Sequence, residues 1–368
     1  MSALTDVARM AGVSKSTASR ALSGAGYVAL PTKERVERAA AAIGYVVSAN
    51  AASLVTGQTR NVGVVIPFIN RWFFAEVLEG IESTLIGAGY DLTLYRLSSD
   101  PEQRRRVFDY FLVRKRVDAV IAIGIELAPS EIGLLRSLGK PIVGLGGPID
   151  GMSTLSIDDV EAARLATEHL ISLGHRRIMH LGGDQLEQMD FRVHAQRLAG
   201  FRIALSEAGI EPADDFREVP FSIPGGYEAA LQVLADPRVR PTAIMAGCDE
   251  IAIGVIVAAR QLGLDLPRQL SVIGIDDHDL AEMFDLTTLR QQPCLQGARA
   301  VELVMRDLSR SGERAAIERV NVPLTFVARR STTAPPPRSE TWTERVGGCL
   351  RDFEAPAASR FGTREPSG

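Results

Sequence analysis

The chain has 368 residues, 46 % of them hydrophobic and 23 % charged, with a formal net charge of −4. That balance suits folded, soluble domains, two or three of them at ~100–200 residues each, and no run of ~18 uncharged apolar residues offers a membrane span. The amino terminus lacks a basic segment leading into an apolar stretch, and Cys248, Cys294 and Cys349 form neither a disulfide framework nor a zinc spacing, so the expected location is the cytoplasm.

The charge is unevenly divided. Residues 1–60 carry Arg9, Lys15, Arg20, Lys33, Arg35, Arg38 and Arg60 against Asp6, Glu34 and Glu37, a net of +4 that leaves −8 on the rest. A basic head on an acidic body suggests that only the head meets a polyanion.

Within that head, LTDVARMAGVSKSTASRAL (residues 4–22) holds two short helical runs joined at Gly12. Ser2 and Ser14 are placed to cap them, and Gly12 tolerates the left-handed backbone of a tight corner. A third helix is predicted from about Pro31, where a missing N–H does no harm. Val7, Val13, Ala18 and Leu22 would share one small core with Val36, Ala39, Ala40 and Ile43. Lys15, Ser16 and Arg20 then face outward from the start of the second helix. That face suits the DNA major groove, where arginine pairs with guanine O6 and N7, or it is the solvated side of a three-helix cap.

From Asn61 onward, short β-branched runs alternate with amphipathic stretches. VGVVIP, YDLTLYRL, VDAVIAIG, PIVGLG, RRIMHLGG, TAIMAGCD and LSVIGIDD read as strands, and FFAEVLEGIESTLIGAG and EAARLATEHLISLG as helices. Such alternation predicts parallel sheets covered by helices, enough for two sheets, with ligands at the carboxyl ends of the strands. A dehydrogenase would share this architecture, but the glycine cluster GLGGPIDG is not followed by a helix and fails as a dinucleotide fingerprint. His169, His175 and His180 fall on a helix, a turn and a strand, which argues against a metal site. Asp276, Asp277, His278 and Asp279 resemble an acid–base cluster without a nucleophile or phosphate loop, so no enzyme and no cofactor is expected. Arg104, Arg105 and Arg106 read as a solvated helix face. After about Thr333, Pro, Ser, Gly and charge mix with little periodicity, which predicts disorder; Trp342, Val346, Leu350 and Phe353 make at most one weak helical stripe.

TDVARMAGVSKSTASRALSGAGYV, followed by RVERAAAAIGY, resembles the helix-turn-helix headpiece of the lactose-repressor (LacI/GalR) family of bacterial transcription regulators. The family string is close to D-V-A-x-x-A-G-V-S-x-x-T-V-S-R-V-L-N. This chain keeps Asp6, Val7, Ala8, Ala11, Gly12, Val13, Ser14, Thr17, Ser19, Arg20 and Leu22, and departs with Ala18 for Val and Ser23 for Asn. The resemblance implies a DNA-reading helix starting at Ser14, with Lys15 and Ser16 as base readers. Thr17 and Ser19 would contact the backbone, and Arg20 a base or a phosphate. VVSANAASLVTGQTR is similar to the family's hinge helix, commonly P-N-x-x-A-R-S-L-R-T-G. That likeness implies Leu54 as a minor-groove wedge, with Ser48, Ala49, Ala51 and Ser53 at the same contact. Val47, Ala52 and Val55 replace the usual Pro and two Arg, which should weaken phosphate attraction and flatten the salt dependence.

The body, about residues 61–336, resembles the family's effector-binding core, itself similar to periplasmic sugar-binding proteins. The implied fold is an all-α helix-turn-helix headpiece (1–45) and a hinge and linker (46–60), followed by an α/β two-lobed effector and dimerisation domain (61–333) and a tail (334–368). Three chain crossings between lobes fall near Ile157–Val160, Leu289–Pro293 and Val320–Leu324. The implied effector residues are Phe73, Phe74, Arg197, Phe221, Cys248, Asp249 and Asp276, with Arg71 and Trp72 reshaping the pocket mouth. Gly247-Cys248-Asp249 replaces the common A-N-D, and Leu145-Gly146-Gly147 the common V-D-R, so two polar ligand groups are lost. The expected protein is a dimeric, operator-binding repressor without enzymatic activity. Its control would come from a small ligand, a sugar or sugar derivative or alternatively a nucleobase or other metabolite, acting through the angle between lobes.

Overall fold

The computed structural model describes residues 4–24, 26–45, 58–98, 100–108, 117–137, 139–183, 192–211, 215–309 and 316–336. Three helices form the amino-terminal unit: α1 (Leu4–Ala11), α2 (Lys15–Ser23) and α3 (Leu30–Ala42). At the corner between the first two, Gly12 takes φ +65° and the Val13 N–H turns back onto the Ala8 carbonyl at 3.0 Å. Ser14 then caps α2 by accepting a hydrogen bond from the Thr17 N–H at 3.1 Å, filling one of the donors a helix start leaves open. Pro31 lies in the first turn of α3, and the expected cap Ser2 lies outside the described residues. Val7, Ala18 and Val36 are fully buried among Ala8, Ala11, Ala21, Ala39 and Ala40, while Val13, Leu22 and Ile43 pack at the edges. Helices this short are marginal alone; the shared core of small residues stabilises all three.

Among the described residues, two six-stranded sheets make up the body. In the first, β1 (Asn61–Ile66), β2 (Asp91–Arg96), β3 (Ala119–Ile123), β4 (Ile142–Leu145) and β5 (Ser153–Ser156) run parallel in the order β5-β4-β3-β1-β2. The helices α4 (Trp72–Gly87), α5 (Pro101–Arg106) and α6 (Pro129–Ser137) connect them. The second lobe opens with α7 (Asp159–Ser172). Its sheet comprises β6 (Ile178–Gly182), β7 (Phe216–Glu218), β8 (Ala243–Ala246), β9 (Ser271–Asp276) and β10 (Thr287–Arg290), parallel in the order β10-β9-β8-β6-β7. Between these strands lie α8 (Val193–Glu207), α9 (Ile223–Leu234) and α10 (Asp249–Gln261). Strands β3, β4, β8 and β9 are buried along their whole length, as their unbroken apolar runs predict for a sheet covered on both faces.

The chain passes from the first lobe to the second between β5 and α7, at residues 157–158. It returns after β10, at 291–292, to form α11 (Pro293–Ser309), which packs on α4 in the first lobe. It then adds β11 (Arg319–Asn321) beside β5 and crosses a third time to β12 (Thr325–Val327), antiparallel to β10. All three passages fall within the segments expected from the sequence.

Seven strands coincide with the β-branched runs. β5, β7, β10, β11 and β12 were not expected, because STLS, FRE, TTLR, RVN and TFV are only three or four residues long and show too little alternation. Their pairing is supplied by neighbouring strands. The solvated reading of Arg104 also needs correction: its guanidinium donates to Glu131 Oε2 at 2.7 Å and is largely buried, whereas Arg105 and Arg106 are exposed and pair with Glu102. His175 is a structural stitch, bonded to the hydroxyls of Thr242 and Ser271 at 2.9 and 3.0 Å and to the Thr333 carbonyl at 2.8 Å. The Trp342, Val346, Leu350 and Phe353 stripe lies outside the described residues.

Candidate functional site

Two surfaces carry the chemistry. On the amino-terminal unit, Ser14, Lys15, Ser16 and Arg20 are exposed along one side of α2, with Thr17 and Ser19 half-buried beside them. The Ser14 hydroxyl serves as the cap and also lies 2.9 Å from Ser16 Oγ and 2.8 Å from Thr17 Oγ1. The cluster therefore holds its own geometry while Lys15 and Arg20 project from it. A helix N-terminus with open N–H groups and adjacent cations favours a polyanion. Ser48, Ala49, Ala51, Ser53 and Leu54 lie outside the described residues.

The second surface is a cavity of about 350 Å³ between the lobes, at the carboxyl ends of the strands. Phe73, Phe74, Arg197, Phe221, Cys248 and Asp276 all line it. Phe73 and Phe74 come from the first turn of α4, with ring centroids 5.4 Å apart and planes at 83°. Close backbone approach seats the rings: a Cβ on Gly124 would meet Phe74 at 2.7 Å, and one on Gly247 would meet Phe221 at 2.9 Å.

The floor of the cavity is a chain of polar contacts. Arg197 of α8 is 6 % exposed; its Nε donates to Asp159 Oδ1 at 2.8 Å and its Nη1 to the Gly247 carbonyl. Burial disfavours the Arg197 charge, but Asp159 and Asp276 outweigh that and raise its pKa. Burial pushes the Asp276 carboxyl up despite the nearby guanidinium of Arg197, and pushes the Cys248 thiol well up too. Asp276 is held by Gln291, whose Nε2 donates to Oδ1, and the Gln291 carbonyl in turn accepts from Gln296 Nε2. Gln296 of α11, Gln291 of the second crossing and Asp159 just after the first crossing thus meet at one floor. Asp276 and Asp277 take φ of +136° and +60°, a departure that costs each residue about 1–3 kcal/mol and that surrounding contacts must hold in place.

Asp249 stands apart from the other six. It is the first residue of α10 and turns inward, accepting from the Thr288 hydroxyl at 2.7 Å and from the His278 N–H at 2.9 Å. Successive residues at a helix start point in different directions, so its neighbours Cys248 and Glu250 face the cavity instead. Asp159, His194, Gln291, Gln296 and Phe68 also line it and were not singled out from the sequence. For Asp159 and Gln291 a signal was present, since both lie within the segments expected as crossings. At the rim the lobes touch: Trp72 of α4 stacks on His278 of the second lobe with centroids 4.7 Å apart and planes at 27°. Arg71 sets its charge against Glu250.

Comparison with known proteins matches residues 3–48 to the family described as bacterial regulatory proteins, lacI family, and residues 167–332 to the periplasmic binding protein-like domain. The chain is 32 % identical over 319 residues to the HTH-type transcriptional repressor PurR of Glaesserella parasuis, covering 85 % of this chain and 92 % of that protein. It is 33 % identical over 315 residues to the ribose operon repressor of Escherichia coli K12, covering 84 % and 94 %. Among solved structures, the lac repressor dimer bound to operator and the anti-inducer ONPF superposes with a TM-score of 0.78 at 26 % identity, covering 90 % of this chain and 99 % of that one. With a DNA-reading headpiece and a two-lobed ligand cleft in one chain, the protein belongs to the LacI family of bacterial transcriptional regulators, which bind operator DNA and answer to small-molecule effectors rather than catalysing a reaction.

Proposed function

We propose that this chain represses transcription as a homodimer on a near-palindromic operator, and that a sugar or sugar derivative in the cleft sets its grip on DNA. Two headpieces related by two-fold symmetry would read two half-sites, with Lys15, Ser16 and Arg20 toward the bases and Ser14, Thr17 and Ser19 near the phosphates. Support for a hydroxyl-bearing ligand comes from the cleft floor. Asp276 offers acceptors, Arg197 is a fixed donor fork, and Phe73, Phe74 and Phe221 offer faces for the apolar side of a sugar ring. A second reading, a nucleobase, draws support from the same phenylalanines and from the PurR likeness.

The observation that carries the proposal is the polar floor itself, because it joins groups from both lobes and two of the crossings. A ligand that takes over the hydrogen bonds of Asp276 changes what Gln291 holds, and Gln291 lies where the chain turns back to the first lobe. Changing the lobe angle there would alter how the dimer presents its headpieces and the segment containing Leu54. Electrophoretic mobility shift of duplexes from upstream of this gene, titrated with pentoses, hexoses and free purines, tests it. A specific palindrome whose shift responds to a sugar supports the proposal, whereas a response to purines alone selects the second reading. No discrimination of any duplex from scrambled competitor refutes both.

A further inference from the structure

The polar floor draws on the first two crossings, and a second set of contacts lies directly behind it. Asp276 lines the cavity, whereas the next residue, Asp277, lies outside the lining and sets its carboxylate between two arginines. Its Oδ2 accepts from Arg290 Nε at 2.5 Å and its Oδ1 from Arg329 Nη2 at 2.6 Å. Arg290 closes β10, immediately before the second crossing, and Arg329 follows β12, the strand that the third crossing enters. These strands are antiparallel neighbours, with Arg290 opposite Thr325 at the first residue of β12. One carboxylate thus ties the strand by which the chain leaves the second lobe to the strand by which it returns. Arg329 secures the same corner with two more donors, Nη1 to the Leu286 carbonyl at 2.8 Å and the main-chain N–H to the Thr287 hydroxyl at 3.0 Å.

Asp277 cannot turn independently of the cleft. It shares a peptide with Asp276, both residues hold positive φ, and such a conformation persists only where its surroundings fix it. The fixing is visible. The Asp277 N–H donates to the Thr288 hydroxyl at 3.3 Å and the His278 N–H to Asp249 Oδ2 at 2.9 Å, while Thr288 donates to Asp249 Oδ1 at 2.7 Å. Asp249, which turns away from the cavity, therefore braces this turn. A ligand that rotates Asp276 moves a peptide with little slack, and packed elements respond to such a shift by changing arrangement rather than by stretching. We infer that Asp277 is a positioning residue that carries occupancy of the cleft to the second and third crossings through Arg290 and Arg329. This rests on the effector-controlled operator binding proposed above. The Asp277–Arg329 pair is largely buried and the Arg290 side chain half exposed, so Arg329 is the stronger of the two links.

Asp277→Asn tests this, because asparagine tolerates positive φ and keeps the side chain's size while losing its charge. Full-length wild type and variant are titrated by calorimetry with ribose, glucose, galactose, adenine and hypoxanthine. Operator affinity is measured by anisotropy with and without each probe, on the duplex that the wild type selects. For the probe that shifts the wild type, Asp277→Asn should bind it within about twofold of wild type on free protein, while the coupling factor between probe and operator falls about threefold or more. Arg329→Gln should lower the coupling in the same way, and the double variant no further than either single change, since all three remove one contact. Coupling at the wild-type value in Asp277→Asn, or losses that add in the double variant, overturns the inference and leaves the proposed function standing. Probe affinity that falls in step with coupling places Asp277 in the pocket and also overturns it. Should Asp277→Asn not fold, Arg290→Gln and Arg329→Gln decide the matter, and wild-type coupling in both overturns the inference. A wild type whose operator binding answers to none of the probes overturns the effector reading and the inference with it.

Discussion

Removing the guanidinium of Arg197 tests the cleft floor most severely. Arg197→Ala deletes the partner of Asp159, which is 3 % exposed, and the nearest cation to Asp276, which is 7 % exposed. Taking one member from a buried ion pair costs about 3–5 kcal/mol, because the survivor stays desolvated without compensation. For a domain of this size each kcal/mol moves the melting temperature by about 2–4 °C, so the expected drop is ~6–20 °C at neutral pH. The loss should also depend on pH. Burial already holds the Asp276 carboxyl above its ordinary value, and losing Arg197 raises it further. A carboxyl whose folded pKa exceeds its unfolded one stabilises the fold below the unfolded value, and that contribution fades as pH climbs through the folded value. With that carboxyl pushed up to about 8 in the wild type, the deficit of the variant should therefore shrink as pH falls from 10 to 7. Asp159→Asn combined with Arg197→Met, which removes both charges and keeps volume, should recover most of the loss. Calorimetric melts across that pH range provide the assay. A melting temperature within 2 °C of wild type and independent of pH would refute this account of the floor.

Three further outcomes follow from other parts of the molecule. Ser14→Ala should destabilise the headpiece by about 1 kcal/mol, seen as earlier loss of protection in α2 by hydrogen exchange, because the Thr17 N–H loses its acceptor. Leu54→Ala should weaken operator binding in fluorescence anisotropy and leave ligand affinity unchanged; unchanged operator affinity would remove Leu54 from the DNA interface. Trp72 reports the rim contact. In a Trp342→Phe background it is the sole tryptophan, and its emission should shift to the red as pH falls from 7.5 to 5.5. The reason is that His278 Nδ1 accepts the Leu280 N–H at 2.9 Å and burial lowers the pKa of His278, so charging this ring breaks the contact as pH drops through the ordinary histidine value. His278→Ala should show the red-shifted emission at every pH, and an emission maximum identical to wild type would contradict the stack.

Much of the architecture was legible because it is local. Apolar runs such as those of β1, β3 and β9 specify buried strands by themselves, and Ser14, Gly12 and Pro31 mark the headpiece helices through caps and corners. The short strands were illegible because pairing partners far away in sequence create them. For the cleft, the resemblance led to six lining residues, and each sits at a strand end, in the loop after one or in an early helix turn. It could not resolve Asp249, since facing inward or outward there depends on the rotation of one residue at the start of α10. Nor could local reading show that Arg104 reaches Glu131, a partner on another helix. Asp159 and Gln291 lie within segments already read as crossings, yet only the fold shows that the crossings converge on the cavity.

The central claim is that cleft and headpiece are thermodynamically coupled, and reciprocity measures this most directly. Operator affinity is measured by anisotropy with and without saturating effector, and effector affinity by calorimetry on free and operator-bound protein. The account predicts that both ratios equal the same factor, in the range of ~5–150. Operator affinity unchanged by a ligand that demonstrably fills the cleft would contradict it.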